Sequence, residues 1–227
     1  TVLREKIGQR ENIQPEHIIC GNGAADLIFR TVFAAKSKKA LLLAPTFSEY
    51  EKALSAAGCE INFYALKEEN DFALGDDYIN VLEGGYDIVF LCSPNNPTGG
   101  ELSEQCLLEI VTRCKRLGIL PVIDMSFADF SENTVSANVL AEAGAAVIKA
   151  FTKIYAMPAL RLGYMLCCDE DLLGKVSLAG QSWSVNSLAQ AAGAAALDDS
   201  DFIGRTVEYI SRERRFLTEK FGAMGIK

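Results

Sequence analysis

Four short, almost uninterrupted apolar runs recur along the chain, with segments of helical pattern between them. The runs lie at 39–44, 87–92, 119–125 and 145–151. Strands that are apolar on both sides are covered on both faces, and strands separated by helices pair in parallel. We therefore predict an α/β fold with three layers, α/β/α, around a mostly parallel mixed sheet.

The segments around these runs predict the remaining elements. Ser103 is a suitable N-cap for the helix after it, and Gly58 suits the left-handed conformation with which many helices end. Further strands are predicted at 18–20, 60–66 and 160–168, the last interrupted by Gly163, and helices at 2–12, 24–35, 47–57, 76–83, 103–117, 135–143, 170–179, 186–197 and 201–221.

Composition excludes several classes of function. A formal net charge of -8 without a long basic cluster argues against nucleic acid or an anionic membrane as a partner. No apolar run approaches the roughly 18 residues of a membrane-spanning helix. The single histidine, His17, argues against a histidine-rich metal site and a Ser-His-Asp triad. The seven scattered cysteines favour a reduced, cytoplasmic protein.

Polar or glycine-rich residues follow most of the apolar runs. The carboxyl ends of parallel strands meet at one edge of a sheet, which is where α/β proteins bind ligands. We therefore expect one site at this edge, formed by Gly21-Asn22-Gly23, Phe47, Asn95-Asn96, Asp124 and Lys153.

The segment Ala146–Tyr164 contains two cationic candidates. Lys153 stands where an apolar strand gives way to a loop, and a lysine at the end of a buried strand is costly unless its amine is used or paired. We interpret Lys153 as a Schiff-base lysine, with Lys149 as a competitor. Arg161 is interpreted as a bidentate phosphate ligand, with a salt bridge at the strand edge as the alternative.

The other candidates have a functional and a structural interpretation each. Gly23 and the two alanines after it precede a helix, where backbone N–H groups approach an anion such as phosphate; an ordinary tight turn remains open. Asn96 lies in a loop with two prolines and is predicted to project its amide at a polar ring substituent. Asp124 suits a protonated pyridine nitrogen, or a cap or salt bridge. Phe47 suits stacking on a planar ring, or core packing.

Four motifs of the chain, taken in order, resemble the fold-type I pyridoxal-phosphate enzymes of the class I/II aminotransferases. They are the loop Ser93–Gly99, Asp124, the Phe-Thr-Lys that ends at Lys153, and the Arg-Leu-Gly-Tyr that starts at Arg161. The histidinol-phosphate aminotransferase and L-threonine-O-3-phosphate decarboxylase branch is the most similar. The resemblance implies the large domain of the aspartate-aminotransferase-like fold and pyridoxal 5'-phosphate as cofactor. It further implies a phosphate site at Gly23, Ala24, Ala25, Thr152 and Arg161, ring stacking by Phe47, Asn96 on the ring hydroxyl, Asp124 on the pyridine nitrogen, and Lys153 as the lysine that forms the imine and moves protons.

Three positions depart from the family pattern. Phe127 stands where a tyrosine would hydrogen-bond the ring hydroxyl, which favours the decarboxylase branch. Ala150 replaces a serine or threonine that often contacts the phosphate. Ala159 replaces a glycine, and would add strain if that position required positive φ.

We expect residues 1–200 to form a large cofactor-binding domain, and residues 201–227 to lead as a long helix toward a small C-terminal domain that is mostly absent. The resemblance implies a homodimer. The main functional prediction is an aminotransferase acting on an amino acid or a phosphorylated amino substrate. The alternatives are L-threonine-O-3-phosphate decarboxylase of cobalamin biosynthesis, a dinucleotide-binding oxidoreductase domain, and a truncated domain without catalytic activity.

Overall fold

The computed structural model describes residues 1–133 and 135–226, apart from the side chain of Ser200. Seven strands form one sheet in the described part of the chain. In chain order they are β1 (Ile18–Gly21), β2 (Lys39–Ala44), β3 (Glu60–Ala65), β4 (Ile88–Cys92), β5 (Leu120–Asp124), β6 (Ala146–Ala150) and β7 (Gly163–Leu166).

The helices follow the predicted pattern closely. They are α1 (Val2–Glu11), α2 (Ala24–Ala35), α3 (Ser48–Ala56), α4 (Tyr78–Val81), α5 (Glu104–Leu117), α6 (Ala137–Ala143), α7 (Phe151–Ile154), α8 (Glu170–Leu178), α9 (Ser187–Asp198) and α10 (Ser200–Ala223). The predicted N-cap is confirmed, because Ser103 Oγ accepts a hydrogen bond from the Cys106 N–H at 3.2 Å.

The sheet is mixed, as predicted, and its strand order is β1-β7-β6-β5-β4-β2-β3. β7 is antiparallel to both of its neighbours, whereas the pairs from β6 to β3 are all parallel. The ends of β4 and β5 are level, because Cys92 pairs with Asp124. At the other side of β6, Ala150 pairs with Gly163. This register brings four strand ends to one edge of the sheet.

Each face of the sheet carries its own hydrophobic core, which gives the three predicted layers. Side chains alternate along the strands, so that Phe90 of β4 joins one core and Leu91 joins the other. One core packs under α2, α3 and α8, and the other under α1, α5, α6 and α9.

Several predicted boundaries differ from the structure. The apolar run 145–151 leaves the sheet at Ala150, and Phe151 begins the single turn of α7, so Lys153 lies on a short helix and not in a loop. The strand predicted at 160–168 is confined to β7, since Leu162 precedes its first ladder pair. Helices α3 and α6 begin one and two residues later than predicted. The predicted long terminal helix is present as α10, and Lys227, the end of that predicted segment, lies outside the described residues.

Within the described ranges, no helix is both long enough and apolar enough to cross a membrane. In the same part of the chain, no group of three or more His, Cys, Asp or Glu side chains is arranged to hold a metal ion.

Candidate active site

A cavity of about 120 Å³ opens at the carboxyl ends of the strands. It collects residues that lie far apart in the sequence. Of the residues predicted for the site, Gly21, Asn22, Gly23 and Asn95 do not line this cavity, and the others do. The wall consists of Ala24, Ala25, Phe47, Cys92, Asn96, Asp124, Ser126, Phe127, Ala150, Thr152, Lys153 and Arg161. The prediction of one site at this edge therefore agrees with the geometry, and Cys92 and Ser126 are wall residues that the sequence did not indicate.

The first turn of α2 forms one part of this wall. Gly23 is the N-cap of the helix, with φ 87°, and Ala24 and Ala25 are its first two residues. The N–H groups of a first helical turn have no partner inside the helix, and they favour an anion. The nearby carboxylate of Asp26 is already engaged, because its Oδ2 lies 2.7 Å from Nη2 of Arg30 and accepts a hydrogen bond from the Asn22 N–H at 2.8 Å.

Two glycines allow the backbone of this turn to sit against its neighbours. A Cβ on Gly23 would lie 2.7 Å from Nη2 of Arg161. A Cβ on Gly163 would lie 2.6 Å from the backbone nitrogen of Ala24. The absence of a side chain at Gly23 therefore leaves room for the Arg161 guanidinium, and Gly163 is required for the close approach of β7 to the turn.

Arg161 is exposed at the cavity mouth and has a left-handed backbone, with φ 58°. Its Nη1 donates a hydrogen bond to the carbonyl of Pro158 at 2.9 Å. The strain considered at Ala159 does not arise, because positive φ in this segment occurs at Ala156 and Arg161.

Asp124 is the buried carboxylate of the site, with 3% of its surface exposed. Oδ2 accepts a hydrogen bond from the Tyr50 hydroxyl at 2.8 Å, and Oδ1 accepts one from the Ser126 N–H at 2.9 Å. Burial raises the pKa of Asp124, and hydrogen bonds from Ser126 and Tyr50 and the charge of Lys153 offset part of that rise. The cationic partner expected for this carboxylate is not among its hydrogen-bonding neighbours, which are neutral.

Tyr50 is a contact of the site that the sequence analysis missed. It lies on α3, one turn after Phe47, and is fully buried. The spacing from Phe47 to Tyr50 is helical, which was the available signal, but the contact with Asp124 joins residues 74 positions apart.

The loop after β4 places Asn96 in the cavity by using Asn95 as its anchor. Asn95 Nδ2 donates to the carbonyl of Pro45 at 3.0 Å and to Thr98 Oγ1 at 2.9 Å. Its Oδ1 accepts a hydrogen bond from Thr46 Oγ1 at 2.9 Å. Because the buried Asn95 is fully engaged with the loop, Asn96 is the asparagine that faces the site.

The two lysines of β6 and α7 have opposite environments. The expectation that Lys153 is buried is wrong: its side chain is exposed at the cavity, with Nζ 5.3 Å from the centre of the Phe127 ring. Lys149 is the buried one, and its Nζ lies 2.9 Å from Glu11 Oε1 and 3.5 Å from Asp129 Oδ1. The difference arises because Lys149 still belongs to β6, whose next residue, Ala150, turns to the cavity.

Comparison with known proteins places this geometry in a family. The sequence profile of the class I and II aminotransferases matches residues 2–227. The chain belongs to this family. Its members depend on pyridoxal 5'-phosphate.

Two curated members of this aminotransferase family illustrate the similarity. The chain is 35% identical to a threonine-phosphate decarboxylase of Salmonella typhimurium, over 93% of the chain and 58% of the relative. It is 28% identical to a histidinol-phosphate aminotransferase of Ruminiclostridium cellulolyticum, over 96% of the chain and 61% of the relative. The chain thus spans about three fifths of the length of these relatives.

The fold agrees with solved structures of the family. The histidinol-phosphate aminotransferase of Clostridium acetobutylicum superposes with a TM-score of 0.89 at 24% identity, over 98% of this chain and 66% of that one. This likeness confirms the predicted aspartate-aminotransferase-like fold.

The residues of the cavity are chemically suited to the family's cofactor. The start of α2 and the guanidinium of Arg161 are donors for a phosphate. The buried carboxylate of Asp124 suits a protonated ring nitrogen, and the amine of Lys153 is a nucleophile for an aldehyde. In addition, Ser126 Oγ is buried on the wall without a hydrogen-bond partner in the described residues.

Proposed function

We propose that this chain binds pyridoxal 5'-phosphate in the cavity at the strand ends and acts on an amino acid or a phosphorylated amino substrate. The observation that carries the proposal is the convergence of Asp124, Lys153, Arg161 and the first turn of α2 on one cavity. Taken singly, each of these groups has an alternative structural explanation. Their common location gives all four a single explanation.

The proposed contacts divide by the chemistry of the cofactor. The phosphate is held by donors of the α2 turn and by two side chains near α7, while an aromatic ring, an amide and a carboxylate hold the ring. The proposed ligands are Gly23, Ala24, Ala25, Thr152 and Arg161 for the phosphate, Phe47 for the ring face, Asn96 for the ring hydroxyl, and Asp124 for the ring nitrogen.

Lys153 has the proposed catalytic role. Its amine would attach the bound cofactor and would move a proton at the substrate Cα. When bound, the cofactor withdraws electrons from the bonds of that carbon. Asp124 contributes by keeping the ring nitrogen protonated. Lys149 does not fit the role, because its amine is paired with the buried Glu11 and the residue does not line the cavity.

Aminotransfer is the first proposed reaction, and decarboxylation of a phosphorylated amino acid is the second. Phe127 supports the second reaction, since it lines the cavity but cannot donate a hydrogen bond to the ring hydroxyl. The relatives carry both activities in their names, threonine-phosphate decarboxylase and histidinol-phosphate aminotransferase.

The test begins with the purified chain and pyridoxal 5'-phosphate. We expect a visible absorption band and, after borohydride reduction and peptide mapping, a pyridoxyl group on Lys153 and none on Lys149. Protein that contains this chain is then assayed with threonine phosphate, and separately with histidinol phosphate plus 2-oxoglutarate. Absence of the band and of the label would favour a domain without catalytic activity.

The raised pKa of Asp124 predicts how the cofactor-free protein responds to pH. A carboxyl group whose pKa rises above its ordinary 3.8 on folding favours the folded state at low pH. That contribution is lost as pH rises through the raised value, with about 1.4 kcal/mol for each tenfold difference in proton affinity. The Asp124→Asn side chain cannot titrate. The free energy of unfolding of this variant should therefore rise relative to that of the unmodified protein as pH rises above 3.8.

Urea unfolding of both cofactor-free proteins across this pH range measures the difference. Asp71→Asn is the matched control, because Asp71 is exposed and asparagine tolerates its left-handed backbone. A difference for Asp124→Asn that stays constant with pH would contradict the assigned environment.

We propose that residues 1–200 form the cofactor-binding domain and that residues 201–227 lead toward a small domain. Apolar side chains on α10 support the second part, since Phe216, Leu217 and Phe221 are each about half exposed. We also propose a cytoplasmic location, which the seven unpaired cysteines support.

We propose that the chain forms a homodimer, and one exposed tryptophan provides a test. Trp183 is 96% exposed and lines the same surface depression as Leu178, which is 87% exposed. Exposed aromatic side chains of this kind are frequent centres of interfaces. We expect Trp183→Ser to raise the dimer dissociation constant about tenfold or more in sedimentation experiments. Phe63→Ser, on edge strand β3, is the control and should leave the dissociation constant unchanged.

A further inference from the structure

The Tyr50 hydroxyl is a neutral hydrogen-bond partner of Asp124, and Tyr50 does not line the cavity. The Tyr50 hydroxyl donates to Asp124 Oδ2 at 2.8 Å, and both residues are buried from solvent. The cavity is lined by Asp124 but not by Tyr50. Tyr50 therefore acts on a ligand only through the carboxylate.

The ring of Tyr50 is held from two sides. It stacks on Phe90 with ring centres 4.9 Å apart and planes 17° apart. Phe47 meets it edge-on, with ring centres 5.6 Å apart and planes 82° apart. Since Phe90 lies on β4 and Phe47 on the cavity wall, the position of the Tyr50 hydroxyl is set by the sheet and by α3 together.

The remaining groups around Asp124 complete its environment. Oδ1 accepts the Ser126 N–H from the loop after β5. On β4, the Cys92 thiol donates a hydrogen bond to the carbonyl of Pro94 at 3.2 Å and is neutral, because burial raises its pKa to about 12. Lys153 on α7 supplies positive charge, and Arg161 lines the same cavity. Tyr50 is thus the side-chain donor from the α3 side of Asp124.

We propose that Tyr50 is a positioning residue, whose hydroxyl keeps Asp124 ionised and oriented toward the ring nitrogen of the cofactor. A hydrogen bond donated to a carboxylate stabilises its ionised form, and a fixed donor on each oxygen sets the plane of the group. The inference rests on the proposed function, because it assigns the ring nitrogen to Asp124. It adds a residue that touches neither cofactor nor substrate.

A second buried tyrosine provides a matched control. Tyr78 is as buried as Tyr50 and packs edge-on against Tyr64 at 5.2 Å, yet its hydroxyl has no hydrogen-bond partner in the described residues. Tyr50→Phe and Tyr78→Phe remove the same oxygen from a buried ring and preserve its packing. Only the first removes a donor from Asp124.

The first experiment needs no cofactor. Carbon-13 NMR of the cofactor-free protein, with the Asp124 carboxyl assigned by Asp124→Asn, follows the titration of that group. Loss of a hydrogen bond to a charged group corresponds to about a tenfold change in an equilibrium constant. We therefore expect Tyr50→Phe to raise the proton affinity of Asp124 about tenfold, and Tyr78→Phe to leave it unchanged.

The second experiment uses pyridoxal 5'-phosphate and a double-mutant cycle. We expect Tyr50→Phe to raise the cofactor dissociation constant about tenfold and to move the pH midpoint of the bound cofactor's visible absorption. In the Asp124→Asn background, Tyr50→Phe should change neither quantity further. Equal effects in both backgrounds, or an unchanged Asp124 titration, would overturn the inference.

These outcomes separate the two proposals. If no labelled Lys153 forms in the unmodified protein, the proposed function fails while the titration of Asp124 still reports on Tyr50. If Lys153 is labelled and Tyr50→Phe behaves like Tyr78→Phe, the proposed function stands and the role of Tyr50 is wrong.

Discussion

Replacing Lys153 with alanine is expected to remove covalent attachment of pyridoxal 5'-phosphate and to lower turnover by about 10³-fold or more. A positioned acid–base group contributes about 10²- to 10⁴-fold, and the same amine is also the proposed nucleophile. The measurements are borohydride labelling with peptide mapping, and steady-state turnover of the preferred substrate.

Two further variants make this result specific. Lys153→Arg retains a positive charge near the Phe127 ring but has no nucleophilic amine, so we expect the same loss of labelling. Lys52→Ala changes a lysine whose side chain is 63% exposed on α3 and should leave labelling and turnover unchanged. Persistent labelling of the Lys153→Ala protein at Lys149 would contradict the assignment.

Lys149→Met is expected to destabilise the fold by about 3 kcal/mol, the largest loss of stability predicted for this chain. The side chains of Lys149 and Glu11 are 9% and 8% exposed, and their charged atoms lie 2.9 Å apart. Removing the lysine leaves Glu11 buried with a neutral donor, the Tyr164 hydroxyl at 2.5 Å, and with Arg10 at 4.0 Å. These two neighbours place the loss at the lower end of the range for a broken buried ion pair.

Urea unfolding of the cofactor-free protein at neutral pH measures this loss. Lys52→Met breaks an exposed pair with Glu49 and should cost about 0.5 kcal/mol or less. The double variant Lys149→Met with Glu11→Gln should recover about 1 kcal/mol or more relative to the sum of the single changes. If Lys149→Met were no more costly than Lys52→Met, the buried ion pair would not contribute as described.

The sequence predicted the architecture well where local pattern decides it. Apolar runs such as Ile88–Cys92 and Leu120–Asp124 can be read as strands because several adjacent side chains are buried together. Glycine and capping residues between them limit the possible element boundaries. Errors occurred at Phe151 and Leu162, which are buried in the core but lie just outside β6 and β7.

The candidate site was also predictable in large part, because strand ends converge by topology. Phe47 and Asn96 follow β2 and β4, Asp124 ends β5, and all three line one cavity. The environment of the lysines was not predictable in the same way. Lys149 and Lys153 are both preceded by apolar residues, and the structure buries Lys149 and exposes Lys153, which was expected to be buried.

The amino-acid sequence by itself determined the alternation of strands and helices, the three-layer class and the residues that reach the carboxyl edge of the sheet. These follow from periodicity and from the direction of parallel strands, which are properties of short segments. Only the tertiary structure decided that β7 enters the sheet between β1 and β6, that Lys149 pairs with Glu11, and that Tyr50 holds Asp124. Each of these depends on a contact between residues far apart in the chain, whose burial and geometry exist only once the two cores have packed.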